Sequence, residues 1–277
     1  MANLTFDTYG KTRVRLTQVL RDNGAHEVLE ISVRILFEGG FEKSYTAGDN
    51  SSILPTDTMK NTVYALARKR RIDSIEAFAG DLARHFLSHV PPLRKVKVEI
   101  EQTLWGRIGS YATAFLKNGE ETRSAAVDAD REREVYTSGI SDLEILKTGN
   151  SGFADYIKDE YTTLPETHDR LLGTVLDAHW TYRSGAIDFN ATHTAVRQTL
   201  LDSFAAHTSR SVQETLYAMA EQALATHAVL AEIHLVMPNK HRLLFDLSRF
   251  GLDNPNQIFV PTDEPSGYIE ARIRASN

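Results

Sequence analysis

The sequence predicts an α+β fold of two tandem modules, residues 1–137 and 138–277, each an antiparallel sheet with a helix pair on one face. Three observations carry this reading. Apolar residues alternate at every second position in several stretches, amphipathic helical stripes follow in pairs, and the same order of elements occurs twice, 137 residues apart.

Val14 and Leu16 begin one strand, and Leu29, Ile31, Val33, Ile35 and Phe37 alternate in the next. Asp22-Asn23-Gly24 between them supplies the positive φ angles of a tight hairpin turn. Beyond Pro55 the period becomes helical, with Met59, Val63, Leu66 and Ala67 on one face. Asp73 with Glu76 reads as the capping box of a second helix, whose stripe is Ile75, Phe78, Ala79, Leu82 and Phe86. Pro91-Pro92 stops it. Val96, Val98 and Ile100 then alternate with Lys95, Lys97, Glu99 and Glu101, a strand with one wet face, and Asn118-Gly119 marks another hairpin turn.

In the second half Val196, Leu200 and Phe204 stripe one helix, and Ser211 with Glu214 opens the next. Ile233, Leu235 and Met237 alternate as a strand. A shift of 137 lays Ser74 on Ser211, Leu93 on Leu230, Val96 on Ile233 and Val98 on Leu235. The repeat is one of periodicity, since few letters coincide. Helices on one face of a sheet leave the other uncovered, and self-association that closes the sheets would cover it.

Among 277 residues, 31 Lys and Arg stand against 37 Asp and Glu, a net charge of −6, which argues against a nucleic-acid-binding surface. With 42% hydrophobic and 25% charged residues the chain has the composition of a globular protein. The absence of cysteine excludes disulfides, thiolate zinc sites, iron–sulfur clusters and a Cys nucleophile, so a metal would depend on His and carboxylates. The N-terminus has no secretory pattern and no stretch approaches the roughly 20 apolar residues that span a bilayer. The ending Ile273-Arg274-Ala275-Ser276-Asn277 is not a peroxisomal address. A cytoplasmic protein with no membrane or nucleic-acid partner is therefore expected.

Gly-rich phosphate loops, a dinucleotide fingerprint and His-Glu-x-x-His are all missing. His85 and His89, four apart on a helix, could share a metal. Their place near the helix C-terminus, where the dipole favours a cation, explains them more simply.

Polar residues stand out elsewhere. Tyr9-Gly10-Lys11 precedes the first strand, and Pro55-Thr56-Asp57-Thr58-Met59-Lys60-Asn61 opens the first helix. Phe153 is followed by Asp159-Glu160-Tyr161-Thr162-Thr163-Leu164-Pro165-Glu166-Thr167 and then Asp169-Arg170. Ser211-Val212-Gln213 opens the last helix, and Pro238-Asn239-Lys240-His241 ends a strand. In these motifs, in this order, the chain from Tyr9 to about Gly267 resembles the urate oxidase (uricase) family. That resemblance implies two tandem T-fold (tunnelling-fold) modules per subunit and a homotetramer stacked into a tunnel. The reaction it implies is oxidation of urate by dioxygen to 5-hydroxyisourate with release of hydrogen peroxide, using neither metal nor organic cofactor.

Carried over by motif, the purine clamp falls on Arg170 and Gln213, with Phe153 stacking beneath the ring, the Val212 backbone facing the ligand and Leu164 lining the pocket. The residue types suit the task. A guanidinium forks onto two adjacent acceptors of an anionic purine, a carboxamide offers donor and acceptor to the other edge, and an aromatic face stacks. Read without the resemblance, Arg170 is an ion-pair partner of Asp169 or Glu166, and Gln213 an ordinary first-turn residue. Lys11, Thr56 and His241 resemble the family's proton relay, and Asn239 the residue that with Thr56 holds dioxygen or water. Asp57 is a supporting residue that could equally be the N-cap of a helix starting near Thr58. In the family the Lys and Thr come from one subunit and the clamp from its neighbour.

Two departures concern packing: the short turn Gly106-Arg107-Ile108-Gly109, where many members carry a histidine-containing segment, and Met59, where a β-branched residue is common. The ending points to a bacterial-type member. Two other readings stay open, a zinc-dependent T-fold purine or pterin enzyme such as a cyclohydrolase, and a catalytically silent T-fold oligomer.

Overall fold

Alternating burial makes residues 9–39 a strand pair, and the computed structural model, which describes residues 2–21, 24–183 and 185–276, places β1 at Tyr9–Leu20 and β2 at Glu27–Gly39. Of the expected turn, Asp22 and Asn23 lie outside the described residues, and Gly24 has φ +77°. Tyr9-Gly10-Lys11 lies inside β1, not before it: Tyr9 pairs with Phe37 and Lys11 with Ile35.

The chain divides into two compact units. One holds the residues through Gly139 with Ala186–Asn190, the other Ile140–Gly185 with the residues from Ala191 on. In the first, β1 and β2 continue antiparallel into β3 (Leu93–Arg107) and β4 (Phe115–Ala129). Ile31, Val33, Ile35 and Phe37 of β2, Val96, Val98 and Ile100 of β3 and Val127 of β4 are all buried. Against them lie α2 (Thr56–Lys69) and α3 (Ile75–His89), through Met59, Val63, Phe78, Leu82 and Phe86. The short α1 is Glu42–Thr46. The intervening positions of the sheet carry charges, among them Arg34 on Glu99 at 2.8 Å and Lys97 on Glu99 at 2.9 Å.

Gly10 shows how tightly β1 is laid down, since a Cβ there would stand 1.8 Å from the Ile35 carbonyl oxygen. We expect Gly10→Ala to lower the free energy of unfolding by about 1–3 kcal/mol in a denaturant titration, the scale of overpacking. An unchanged midpoint would refute the close approach.

Three expectations of local structure are corrected. The cap of α3 is Ser74, whose Oγ accepts from Ala77 N–H, not Asp73, and Glu76 turns inward instead of back to the helix start. Asn118-Gly119 lies within β4, not at a hairpin end. Thr103 pairs with Thr122 and Trp105 with Lys117, so four β4 residues bulge opposite one, and Gly119 has φ +65° there. Finally, Gly106 and Arg107 still belong to β3. The turn runs over residues 108–114, closed by Ile108 N–H on the Ala114 carbonyl and stitched by Arg107 to the carbonyls of Tyr111 and Ala112.

After β5 (Glu134–Lys147), the second unit has β6 (Leu172–Tyr182), α4 (Phe189–Ala206), α5 (Val212–Thr226) and β7 (Leu230–Val236). Then come β8 (Asn239–Leu244), β9 (Phe259–Gly267) and β10 (Glu270–Arg274). β6, β7 and β10 pair antiparallel in that order, and β8 joins β6 to β9. Leu176 and Trp180 of β6, Ile233 and Leu235 of β7, Met237 just after it, and Val196, Leu200, Leu216 and Met219 of the helices are all buried. The shift of 137 is met at both helix ends and at the strand that follows, from Ile75–His89 to Val212–Thr226 and from Leu93 to Leu230. Pro238-Asn239-Lys240-His241 does not end a strand; Asn239 to His241 begin β8.

Candidate active site

The polar residues singled out by sequence fall into two groups, each built within one unit. In the first unit, Lys11 sits beside an irregularity in β1. Lys11 pairs with Ile35 and Val14 with Val33, so Thr12 and Arg13 share the space opposite Arg34, and Arg13 takes φ +56°. Such a bulge re-aims the neighbouring side chains, and Lys11 is left half-buried. Two residues earlier, the Tyr9 ring stands edge-on to Phe41 at 4.8 Å, and its hydroxyl accepts from Leu54 N–H at 3.0 Å. This bond ties the chain just before α2 to the strand that carries Lys11.

α2 begins at Thr56 with Pro55 as N-cap, so Asp57 is a first-turn residue and not the cap. No side chain caps the helix, and the first-turn N–H groups have no intrahelical acceptor. The Asp57 carboxylate instead accepts from Lys60 and from Asn61 at 3.0 Å. Lys60 foremost, with Asn61 and the field of Lys11, holds it below the usual carboxylate range.

In the second unit, backbone hydrogen bonds lace three distant segments together. Gly152 N–H donates to the Ser209 carbonyl (2.8 Å), Ser209 N–H to Asn150 (2.9 Å), Arg170 N–H to Ser151 (2.9 Å), and Phe153 and Thr167 exchange bonds of 2.7 and 3.0 Å. Phe153, Arg170 and the start of α5 are thereby brought to one corner. Ser211 caps α5 by accepting from Glu214 N–H at 3.1 Å, as expected, and leaves the N–H groups of Val212 and Gln213 without intrahelical acceptors. Val212 is buried and the Gln213 carboxamide exposed. Glu214 reaches back one residue past the cap, to Arg210 N–H, and the Arg210 guanidinium foremost pushes its carboxyl down to about 2.

The guanidinium of Arg170 lies 5.4 Å from the centre of the Phe153 ring. Neither carboxylate offered by the sequence takes it. Glu166 pairs with Lys158 at 2.7 Å, no ion pair joins Asp169, and Arg170 Nε is buried without a hydrogen-bond partner among the described residues. Burial alone pushes this guanidinium's proton affinity down, the mark of a cation with no anion beside it. A corner with a desolvated fork of donors, an aromatic face and free helix-start N–H groups is built for a planar anion.

Asn239 stands where β8 meets its neighbours, opposite Thr174 of β6 and Gly267 of β9, and His241 pairs with Thr262. Both are half-buried, whereas Leu164 is exposed on the loop after Phe153. A partly open cavity of about 940 Å³ adjoins the corner, walled by Phe153, Tyr156, Asp169 and Ser211; Arg170 and Gln213 are not in its wall. Sequence reasoning quoted Tyr9 in a motif without giving it a role and missed Tyr156, whose only signal was an aromatic three residues after Phe153. No three His, Asp or Glu side chains among the described residues come together as a metal set. His85 and His89 stack at 4.2 Å, with His89 Nδ1 on the His85 carbonyl oxygen at 2.8 Å. No helix of the described residues is long and apolar enough to cross a membrane.

Comparison with known proteins gives one answer. The family model Uricase matches residues 7–128 and 136–270. The chain is 40% identical over 266 residues to a uricase of Arthrobacter globiformis, covering 96% of this chain and 88% of that one. It is 38% identical over 284 residues to a uricase of Dictyostelium discoideum, covering 100% and 99%. A crystal structure of the Arthrobacter globiformis uricase superposes with a TM-score of 0.96 at 39% identity, over 99% of this chain and 95% of that one.

Proposed function

The chain belongs to the uricase family, and we propose that it oxidises urate with dioxygen and water to 5-hydroxyisourate and hydrogen peroxide without metal or organic cofactor. Neither the zinc-dependent purine or pterin enzyme nor the silent oligomer is favoured by its relatives. The observation that supports the reading best is Arg170, a desolvated guanidinium with no carboxylate partner among the described residues, beside the Phe153 ring. An anionic purine satisfies both groups, with its ring on Phe153 and two adjacent acceptors on the arginine fork. Gln213 meets the opposite edge, the Val212 backbone offers a donor, and Leu164 closes one side.

In the overall change urate gives up two electrons, dioxygen receives them with two protons to become hydrogen peroxide, and a water oxygen bonds to C5 of the purine. An electron-rich urate dianion can itself supply the electrons. The residues then have to remove a proton, orient the ring and hold the oxygen. Lys11 acts as base through the Thr56 hydroxyl with His241 completing the relay, Thr56 and Asn239 hold dioxygen or water, and Asp57 supports the helix start. The two groups meet between subunits of a homotetramer, with the halves 1–137 and 138–277 as its tandem T-fold modules. The compartment is cytoplasmic.

The test follows urate absorbance and oxygen uptake together, with chelator-treated protein and no added flavin. Equimolar loss of both with peroxide appearing is expected; no uptake without added metal would overturn the cofactor-free claim. For Lys11→Met, urate binding within about twofold of the parent and kcat lower by about 10²- to 10⁴-fold are expected, the range of a lost general base. Loss of binding with kcat intact would remove Lys11 from the relay.

A further inference from the structure

A ring that serves as a stacking platform must be held at a fixed height, and in this chain the holding group is Tyr156. Its ring lies parallel to that of Phe153, with centroids 4.8 Å and planes 14° apart. One face of Phe153 is thus covered by tyrosine, so in the proposed reading the ligand ring meets the opposite face, beside the Arg170 guanidinium 5.4 Å from the ring centre. The same side chain reaches the pocket wall, because its hydroxyl donates to the Leu164 carbonyl. Lys158 stands 5.6 Å over the tyrosine ring while its ammonium is bonded to Glu166.

The setting makes this brace consequential. Between Phe153 and Thr167 the chain has no helix or strand, and the pair that closes the loop lies at its root. Away from the root, Ile157 and Tyr161 are 96% and 81% exposed, so apolar burial does little to fix the loop. Tyr156 is half-buried and joins two residues on opposite sides of the loop that are both assigned to the ligand pocket.

We infer that Tyr156 is a positioning residue for urate, fixing the Phe153 platform by its ring and the Leu164 wall by its hydroxyl. The inference rests on the reading of Phe153 and Leu164 given above. It separates two contributions that one side chain makes. Tyr156→Phe keeps the stack and loses the tether, whereas Tyr156→Leu loses both. Neither group touches a reacting atom, so the effects belong mainly to KM.

Steady-state urate oxidation by the full-length protein tests it in a double-mutant cycle, with unfolding midpoints measured alongside. Tyr156→Phe is expected to raise KM by about 3- to 10-fold with kcat within about twofold, and Tyr156→Leu to raise KM by about 10-fold or more. In a Phe153→Ala background, Tyr156→Leu should raise KM no further than Tyr156→Phe does there, because the platform is already gone and only the tether is left to lose. A KM unchanged by Tyr156→Leu, or raised equally in both backgrounds, overturns the inference, the second result marking a merely structural role. If Tyr156→Leu does not fold, Tyr156→Phe in parent and Leu164→Ala backgrounds gives the same comparison for the tether. Should Phe153→Ala itself leave KM unchanged, the platform reading falls and this inference with it. A raised KM in Phe153→Ala with no effect of either Tyr156 variant overturns the inference alone.

Discussion

Arg170→Ala is expected to cut kcat/KM for urate by roughly 30- to 4000-fold, equivalent to about 2–5 kcal/mol for stripping one partner from a desolvated charge pair. Its effect on stability should be level or favourable. The guanidinium is half-buried, and among the described residues its Nε lacks a partner and no carboxylate neutralises it, so the side chain carries a desolvation cost that alanine removes. A functional loss paired with an unchanged or raised unfolding free energy distinguishes a ligand clamp from a structural arginine. Oxygen uptake and a denaturant titration on the same preparation read both quantities. Unchanged turnover would end the clamp assignment, and a large loss of stability would give the side chain a role in folding. Arg170→Lys keeps the charge without the planar fork and should fall between parent and alanine variant.

Glu76→Ala should have the opposite profile, with a loss of about 3–5 kcal/mol in unfolding free energy from breaking a buried ion pair on one side. Glu76 is wholly inaccessible. Its carboxylate accepts from Arg123 Nη2 at 2.9 and 2.8 Å and from Ser138 Oγ at 2.6 Å. Arg123 donates its other nitrogen to Asn190 at 2.8 Å, and Asn190 in turn donates to the Asp73 carbonyl at 2.7 Å. Truncating Glu76 leaves that cation buried to 12% exposure with its counter-charge gone. Replacing both charges, as in Glu76→Leu with Arg123→Met, should recover most of the loss, because two apolar groups need no partner. Thermal unfolding of the three variants decides the matter, and a single Glu76→Ala within about 1 kcal/mol of the parent would contradict the buried-pair reading.

Which features could be read from the sequence follows from how local their causes are. The alternation of Ile31, Val33, Ile35 and Phe37 and the stripe of α3 arise within one element, and both appear where the period put them. Ser211 was legible as a cap because the hydroxyl meets an N–H three residues on. Asp73 was misread for a related reason: Asp and Ser are both good caps, and adjacent candidates differ by one residue of register that only the helix itself decides. Asn118-Gly119 does supply a positive φ, but the bulge in β4 needs one as much as a hairpin does. The burial of Glu76 depends on Arg123, 47 residues away, and no local pattern announces it. For the proposed site, the candidate residues were named from motifs. That Arg170 finds no carboxylate among the described residues while Glu166 takes Lys158 is a property of the fold, and its sequence neighbours suggested the reverse.

The offset of 137 sets Glu76 and Gln213 at the same place, the second residue of a capped helix. In one copy that place is sealed by Arg123; in the other it opens outward and carries a carboxamide. Duplicated architecture therefore does not mean duplicated binding. If Gln213 binds a purine as proposed, a titration of the protein with a purine anion is expected to give one site per chain, because the twin position is filled by the chain's own Glu76 carboxylate, paired with Arg123.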